Sequence, residues 1–148
     1  MHKQSLNLDG TARLNQNYLK TLTILYVEDD ADTRRQFTDF LRRPVATLIT
    51  ASDGVKGLEA FLEHSPDIVI TDILMPFMDG LAMAAEIKRV APSVPIIVLT
   101  AFEMPDYLKR AELIGIDKYV TKPVNSLRLQ ESLLECAQHL RAQGCVTS

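Results

Sequence analysis

The chain has 148 residues, 47% of them apolar and 24% charged, with 19 acidic against 16 basic side chains for a formal charge of −3. That length suits one domain whose core needs no staples, and a near-neutral balance without a Lys/Arg run argues against a dedicated nucleic-acid or anionic-membrane surface. Cys136 and Cys145 lack metal-type spacing and read as reduced thiols. No stretch has signal-peptide character or approaches the ~20 apolar residues of a membrane span, so the expected compartment is the cytoplasm.

Taken in order, residues 1–20 show no assignable periodicity. A frayed arm, a linker or a short helix around Leu14–Leu19 all suit this extension. The domain proper is expected over 21–142, with 143–148 a tail or the start of a linker. A β-branched run at Leu22–Val27 is followed by helical spacing over Asp30–Arg43, with Phe37, Phe40 and Leu41 on one face. Val45–Thr50 reads as a second strand, and Val55–His64 as a helix carrying Leu58, Phe61 and Leu62. Ile68–Thr71 is continuously apolar up to its threonine, as suits a strand buried on both faces. Leu81–Val90 is a helix carrying Met83, Ile87 and Val90, and Gly80 before it reads as a turn residue permitting positive φ. Pro95–Thr100 is a second fully apolar strand. Pro105–Ile114 opens with a first-turn proline and stops at Gly115. Ile116–Val120 is the last strand, and Ser126–Arg141 a helix with Leu129, Leu133, Ala137 and Leu140 inward and Asn125 as N-cap.

Strand and helix thus alternate five times. Such a chain folds as an α/β domain, an open parallel sheet wound on both faces with five helices. Ligands of such sheets bind beyond the carboxyl ends of the strands. The residues there are polar: Glu28-Asp29-Asp30 after the first strand, Thr71-Asp72 at the third, Thr100-Ala101 at the fourth and Thr121-Lys122-Pro123 at the fifth.

Carboxylates gathered at one edge repel one another unless a cation joins them. Hard oxygen ligands with few protein contacts suit Mg²⁺. Asp29 and Asp72 are the candidate direct ligands, with Glu28 acting through a water. Lys122 adds a point charge for a phosphate oxygen and Thr100 a hydroxyl donor. The set is suited to transfer of a phosphoryl group to a carboxylate. Taken singly, each has a plainer reading. Glu28 and Asp29 serve equally well as helix caps, a role Asp30 or Asp32 is expected to fill. Thr100 alone is a strand-end hydroxyl bonded to backbone, and Lys122 alone a solvated charge. Met83 belongs to the core, and His64 and His139 to the surface. Asp72 resists this treatment, because an acid directly after Ile68-Val69-Ile70-Thr71 stands at the mouth of a buried strand.

Over Leu22 to Leu140 the sequence resembles the receiver domains of bacterial two-component response regulators. Ile24-Leu-Tyr-Val-Glu28-Asp29-Asp30 is similar to their first strand and acidic pair, and Asp67-Ile-Val-Ile-Thr-Asp72-Ile-Leu-Met-Pro76-Phe-Met-Asp79-Gly80 to the phospho-acceptor strand and loop. Pro95-Ile-Ile-Val-Leu-Thr100-Ala101 is similar to the strand of the switch hydroxyl. Lys118-Tyr119-Val-Thr-Lys122-Pro123 resembles the lysine signature, whose proline is cis in many members. The resemblance implies a flavodoxin-like sheet of order 2-1-3-4-5 and phosphorylation of Asp72 by a sensor histidine kinase or phosphotransfer protein. It further implies Mg²⁺ held by Asp29, Asp72 and the Leu74 carbonyl, Lys122 on the phosphoryl group, and Thr100 and Tyr119 as a coupled switch pair. The output face is then the family's α4-β5-α5 surface, around Tyr107, Lys118 and Leu127, controlling self-association or an effector in cis or in trans. The stretches around Leu99–Glu103 and Asp117–Pro123 resemble receivers attached to diguanylate cyclase or sensor-kinase modules. Leu74 and Phe102 fall at the positions gating water access, and their apolar character implies a long-lived phosphoryl group.

A switch of this kind is not an enzyme beyond taking phosphate from a donor and releasing it slowly. The competing reading is an aspartyl-nucleophile phosphohydrolase or phosphotransferase. Haloacid-dehalogenase-like enzymes place a second Asp two residues after the nucleophile, where this chain has Leu74, and the chain has no long cap insertion. A nucleotide-binding module fails because no Gly-x-Gly-x-x-Gly follows the first strand.

Overall fold

A computed structural model describes residues 10–101 and 105–147. Five parallel strands, β1 Thr23–Val27, β2 Thr47–Ala51, β3 Ile68–Asp72, β4 Ile96–Thr100 and β5 Lys118–Thr121, form one sheet in the order β2-β1-β3-β4-β5. Among the described residues six helices accompany them: α1 Gly10–Leu19, α2 Ala31–Arg42, α3 Gly54–His64, α4 Gly80–Val90, α5 Pro105–Ile114 and α6 Ser126–Thr147. The doubly wound, flavodoxin-like architecture is the expected one. The helix count is corrected from five to six by α1, and the last helix runs to Thr147 instead of stopping at Arg141.

Every residue of β3 and β4 is buried, as their continuous apolar runs require. The two-residue period of the strands divides the core into two layers. Ile24, Tyr26, Ile68, Ile70, Ile97, Leu99 and Val120 face α2 and α6, meeting Leu41, Leu129 and Leu133. Leu25, Val27, Val69, Ile96 and Val98 face α3, α4 and α5, meeting Phe61, Met83, Ile87 and Ala111. The extension joins the first layer through Leu19. Its buried Asn15 accepts from Arg141 Nε and a terminal guanidinium nitrogen at 3.2 and 3.0 Å and donates to Gln138 at 3.3 Å.

Caps fix the helix starts at the carboxyl edge. Asp30, Asp53 and Asp79 accept from Thr33, Lys56 and Ala82 N–H at 2.8, 2.8 and 2.7 Å, and Asn125 accepts from the Leu127 and Arg128 N–H groups at 2.9 and 3.2 Å. Gly115 closes α5 with φ of +92°. Gly80 corrects its expectation, since it is absent from the positive-φ positions of the described residues. A Cβ there would lie 1.9 Å from the Asp72 carbonyl oxygen, so glycine is required for close approach of α4 to β3. His64 and His139 are exposed and Met83 is buried.

Candidate functional site

Strand register assembles the site. Tyr26 lies beside Ile70 and Val27 beside Thr71, so the next step along each strand brings Glu28 beside Asp72. The ladder continues past the strand ends, with Glu28 N donating to Ala51 O at 3.0 Å and Lys122 N to Thr100 O at 2.7 Å. Alternation then sets Glu28, Asp72 and Lys122 on the face of Tyr26, Ile70 and Val120. Thr100 and Tyr119 belong to the opposite face, where Val98 pairs with Tyr119 and Thr100 with Thr121. The acids meet at the junction of β1 and β3, where the strand order reverses.

Lys122 Nζ lies 2.7 Å from Asp72 Oδ2, while Asp72 Oδ1 accepts the Ile73 N–H at 2.8 Å. Glu28 Oε2 accepts the Asp30 N–H at 3.1 Å. Carboxylate oxygens of Glu28, Asp29 and Asp72 all lie within 4.8 Å of one another. Glu28 is 1% exposed and Asp72 9%, whereas Asp29 faces solvent. Burial foremost pushes the Glu28 carboxyl up to about 7, the Asp72 charge adding to this and the Asp30 N–H opposing it. Two unit charges at such separations repel by about 3–4 kcal/mol at an effective dielectric of 20. Three carboxylates set against one lysine leave a repulsion that a proton on Glu28 or a further cation relieves.

The donor set fits Mg²⁺. It is all oxygen and anionic, and the buried Glu28 Oε1 has no hydrogen-bond partner among the described residues. Neither Glu28 nor Asp29 caps α2, since Asp30 does. The Leu74 side chain is more than half exposed, two residues beyond Asp72. Thr100 is 5% exposed and Tyr119 40%. The Lys122–Pro123 peptide is cis. Phe102, the expected second gate, lies outside the described residues.

Three features went unread in the sequence. Arg34 donates to the Glu28 carbonyl at 2.6 Å, tying the first turn of α2 to the acid pair. Phe77 stands 88% exposed at φ of +70° in the loop after β3. Tyr26 is fully buried, two residues before Glu28, and its hydroxyl has no partner among the described residues. Only Arg34 had a signal, a cation about one turn into the helix that follows two acids.

An open parallel sheet of order 2-1-3-4-5 with an acid–lysine cluster at its switch point defines a flavodoxin-like α/β domain of receiver type. The chain belongs to the response regulator receiver domain family, which matches residues 24–134. It is 30% identical to the chemotaxis protein CheY of Halobacterium salinarum over 74% of this chain and 92% of that one. It is 39% identical to the probable transcriptional regulator ycf27 of Guillardia theta over 72% of this chain, although it spans only 42% of that protein's length. Among solved structures, the N-terminal domain of an uncharacterized protein from Wolinella succinogenes superposes with a TM-score of 0.77 at 35% identity, covering 84% of this chain and 99% of that one. No helix among the described residues is long and apolar enough to cross a membrane.

Proposed function

We propose that Asp72 accepts a phosphoryl group from a histidine kinase or phosphotransfer protein and that the chain is the switch of a phosphorelay. The observation that carries this reading is the 2.7 Å Lys122–Asp72 pair set against Glu28 and Asp29. An Asp72 oxygen attacks phosphorus as the phosphorus–nitrogen bond of the donor phosphohistidine breaks. The released electron pair stays on the imidazole, which takes a proton. Lys122 passes from the Asp72 carboxylate to a phosphoryl oxygen, offsetting charge as it develops. Asp29, Asp72 and the Leu74 carbonyl would hold Mg²⁺, with Glu28 acting through a water. The ion, when bound, neutralises charge on the phosphoryl oxygens.

Transmission follows the opposite face of the sheet. The Thr100 hydroxyl donates to the phosphoryl group, a charge-assisted bond worth about 1.5–3 kcal/mol, enough to shift a marginal two-state equilibrium. Tyr119, two-fifths exposed, then turns inward beside Val98. The surface that changes is α5-β5-α6, around Tyr107, Lys118 and Leu127, which serves self-association or an effector in cis or in trans.

Incubation with acetyl phosphate and Mg²⁺, read by intact-mass spectrometry, tests the assignment. One phosphoryl group is expected on the wild type, and none after Mg²⁺ is chelated or in Asp72→Asn. An undiminished phosphoryl level in Asp72→Asn overturns it.

A further inference from the structure

Phosphoryl acceptance as described leaves one buried polar strand residue of the same sheet face unused. Tyr26 sits in β1 with its ring wholly buried between Ile24, Leu41 and Ile70, positions that an apolar residue would fill. Its hydroxyl nevertheless has no hydrogen-bond partner among the described residues. Phenylalanine would occupy the same space without burying an unpaired hydroxyl, so the phenol oxygen calls for an explanation.

The other buried side-chain atom without a partner, among the described residues, is Glu28 Oε1. Glu28 lies two positions along the same strand direction and on the same face. The recorded donors to this cluster go elsewhere: the Asp30 N–H to Glu28 Oε2, Arg34 to the Glu28 carbonyl, and Lys122 to Asp72. One buried donor without an acceptor and one buried carboxylate oxygen without a donor thus lie two residues apart on one face of β1. A phenol is a donor at neutral pH, and a carboxylate oxygen has two lone pairs, one for a water held by the phenol and one for a metal-bound water.

We propose that Tyr26 is a positioning residue of the metal site, its hydroxyl bonding to Glu28 Oε1 through one water so that the Glu28 carboxylate is held toward Asp29 and Asp72. The inference rests on the Mg²⁺-binding reading of that site. It assigns to the floor of the receiver sheet a polar support for an acid that does not itself bind the ion directly. Supports of this kind tune metal affinity by fixing the orientation of the acid before the ion arrives.

The test is calorimetric titration of the full chain with Mg²⁺, comparing the wild type with Tyr26→Phe, alongside thermal unfolding without metal. Loss of one such bond should weaken Mg²⁺ binding about 3–10-fold while the metal-free protein stays folded with only a small drop in melting temperature. In a Glu28→Ala background the same substitution should cost no further affinity. An affinity within about two-fold of wild type overturns the role of Tyr26. Equal weakening in the Glu28→Ala background overturns the route through Glu28. A wild type that binds no Mg²⁺ overturns the metal site together with this inference, and so separates the two failures.

Discussion

The two edges of the sheet are both acidic, and they use their acids in opposite ways. At the edge where strands begin, Asp67 Oδ2 accepts the Thr23 N–H at 2.8 Å. Asp117 Oδ2 there accepts the Ile96 N–H at 2.8 Å and pairs with Lys88 at 3.0 Å. Each carboxylate closes a strand's first N–H, a charge-assisted bond that stabilises the fold where it stands. At the edge where strands end, Glu28, Asp29 and Asp72 crowd within 4.8 Å, one buried oxygen lacks a partner, and a single lysine faces them. Crowded acids of this kind cost stability and repay it only when another group arrives. The residue type is the same at both edges. What separates scaffold from site is whether the chain itself satisfies the charge.

Substitutions at the two edges should therefore separate stability from phosphoryl uptake. The largest stability effect is expected on the scaffold side, where Leu19 anchors α1 in the core at 1% exposure. Leu19→Ala should lower the unfolding free energy by about 2–5 kcal/mol in urea titrations, with uptake from acetyl phosphate retained in the folded fraction. Gly80→Ala is the substitution that joins the two edges' behaviours. A Cβ 1.9 Å from the Asp72 carbonyl must displace α4 or β3, costing about 3 kcal/mol by the overpacking scale and slowing phosphorylation as well. Asp67→Ala should cost about 1–2 kcal/mol by orphaning the Thr23 N–H, with the phosphorylation rate unchanged. Smallest is an expected silence. Burial pushes the Cys136 thiol up to about 12, so at pH 7–8 it stays protonated. An alkylating reagent should reach it only on unfolding, as peptide mapping of the labelled protein would show.

Much of this contrast was legible before the structure. Five strands appeared as β-branched runs, and the acids, Thr100 and Lys122 stood out because polar residues interrupt those runs at one end. The scaffold edge was harder to read. The packed face of α1 contains Asn15 while Leu14 is exposed, so the helix has no clean apolar period. Arg141, expected to end the last helix, instead bonds Asn15 while the helix continues to Thr147. Asp67 and Asp117 carry no local mark of the distant N–H groups they accept. Gly80 looked like a turn residue because a sequence displays conformational freedom and conceals close approach. Tyr26 looked like any aromatic strand residue, since only three-dimensional burial reveals that its hydroxyl lacks a partner.

The most direct test of the division between the edges is amide chemical-shift mapping with Mg²⁺ and beryllofluoride, a phosphoryl mimic. The account predicts saturable changes around Asp72, Thr100 and Lys122, extending to Tyr119, Tyr107 and Leu127 on α5-β5-α6. Asn15, Asp67 and Arg141 should stay unmoved, and Asp72→Asn should abolish the response. Changes confined to α1, α2 and α3, or an unaltered response in Asp72→Asn, would contradict it.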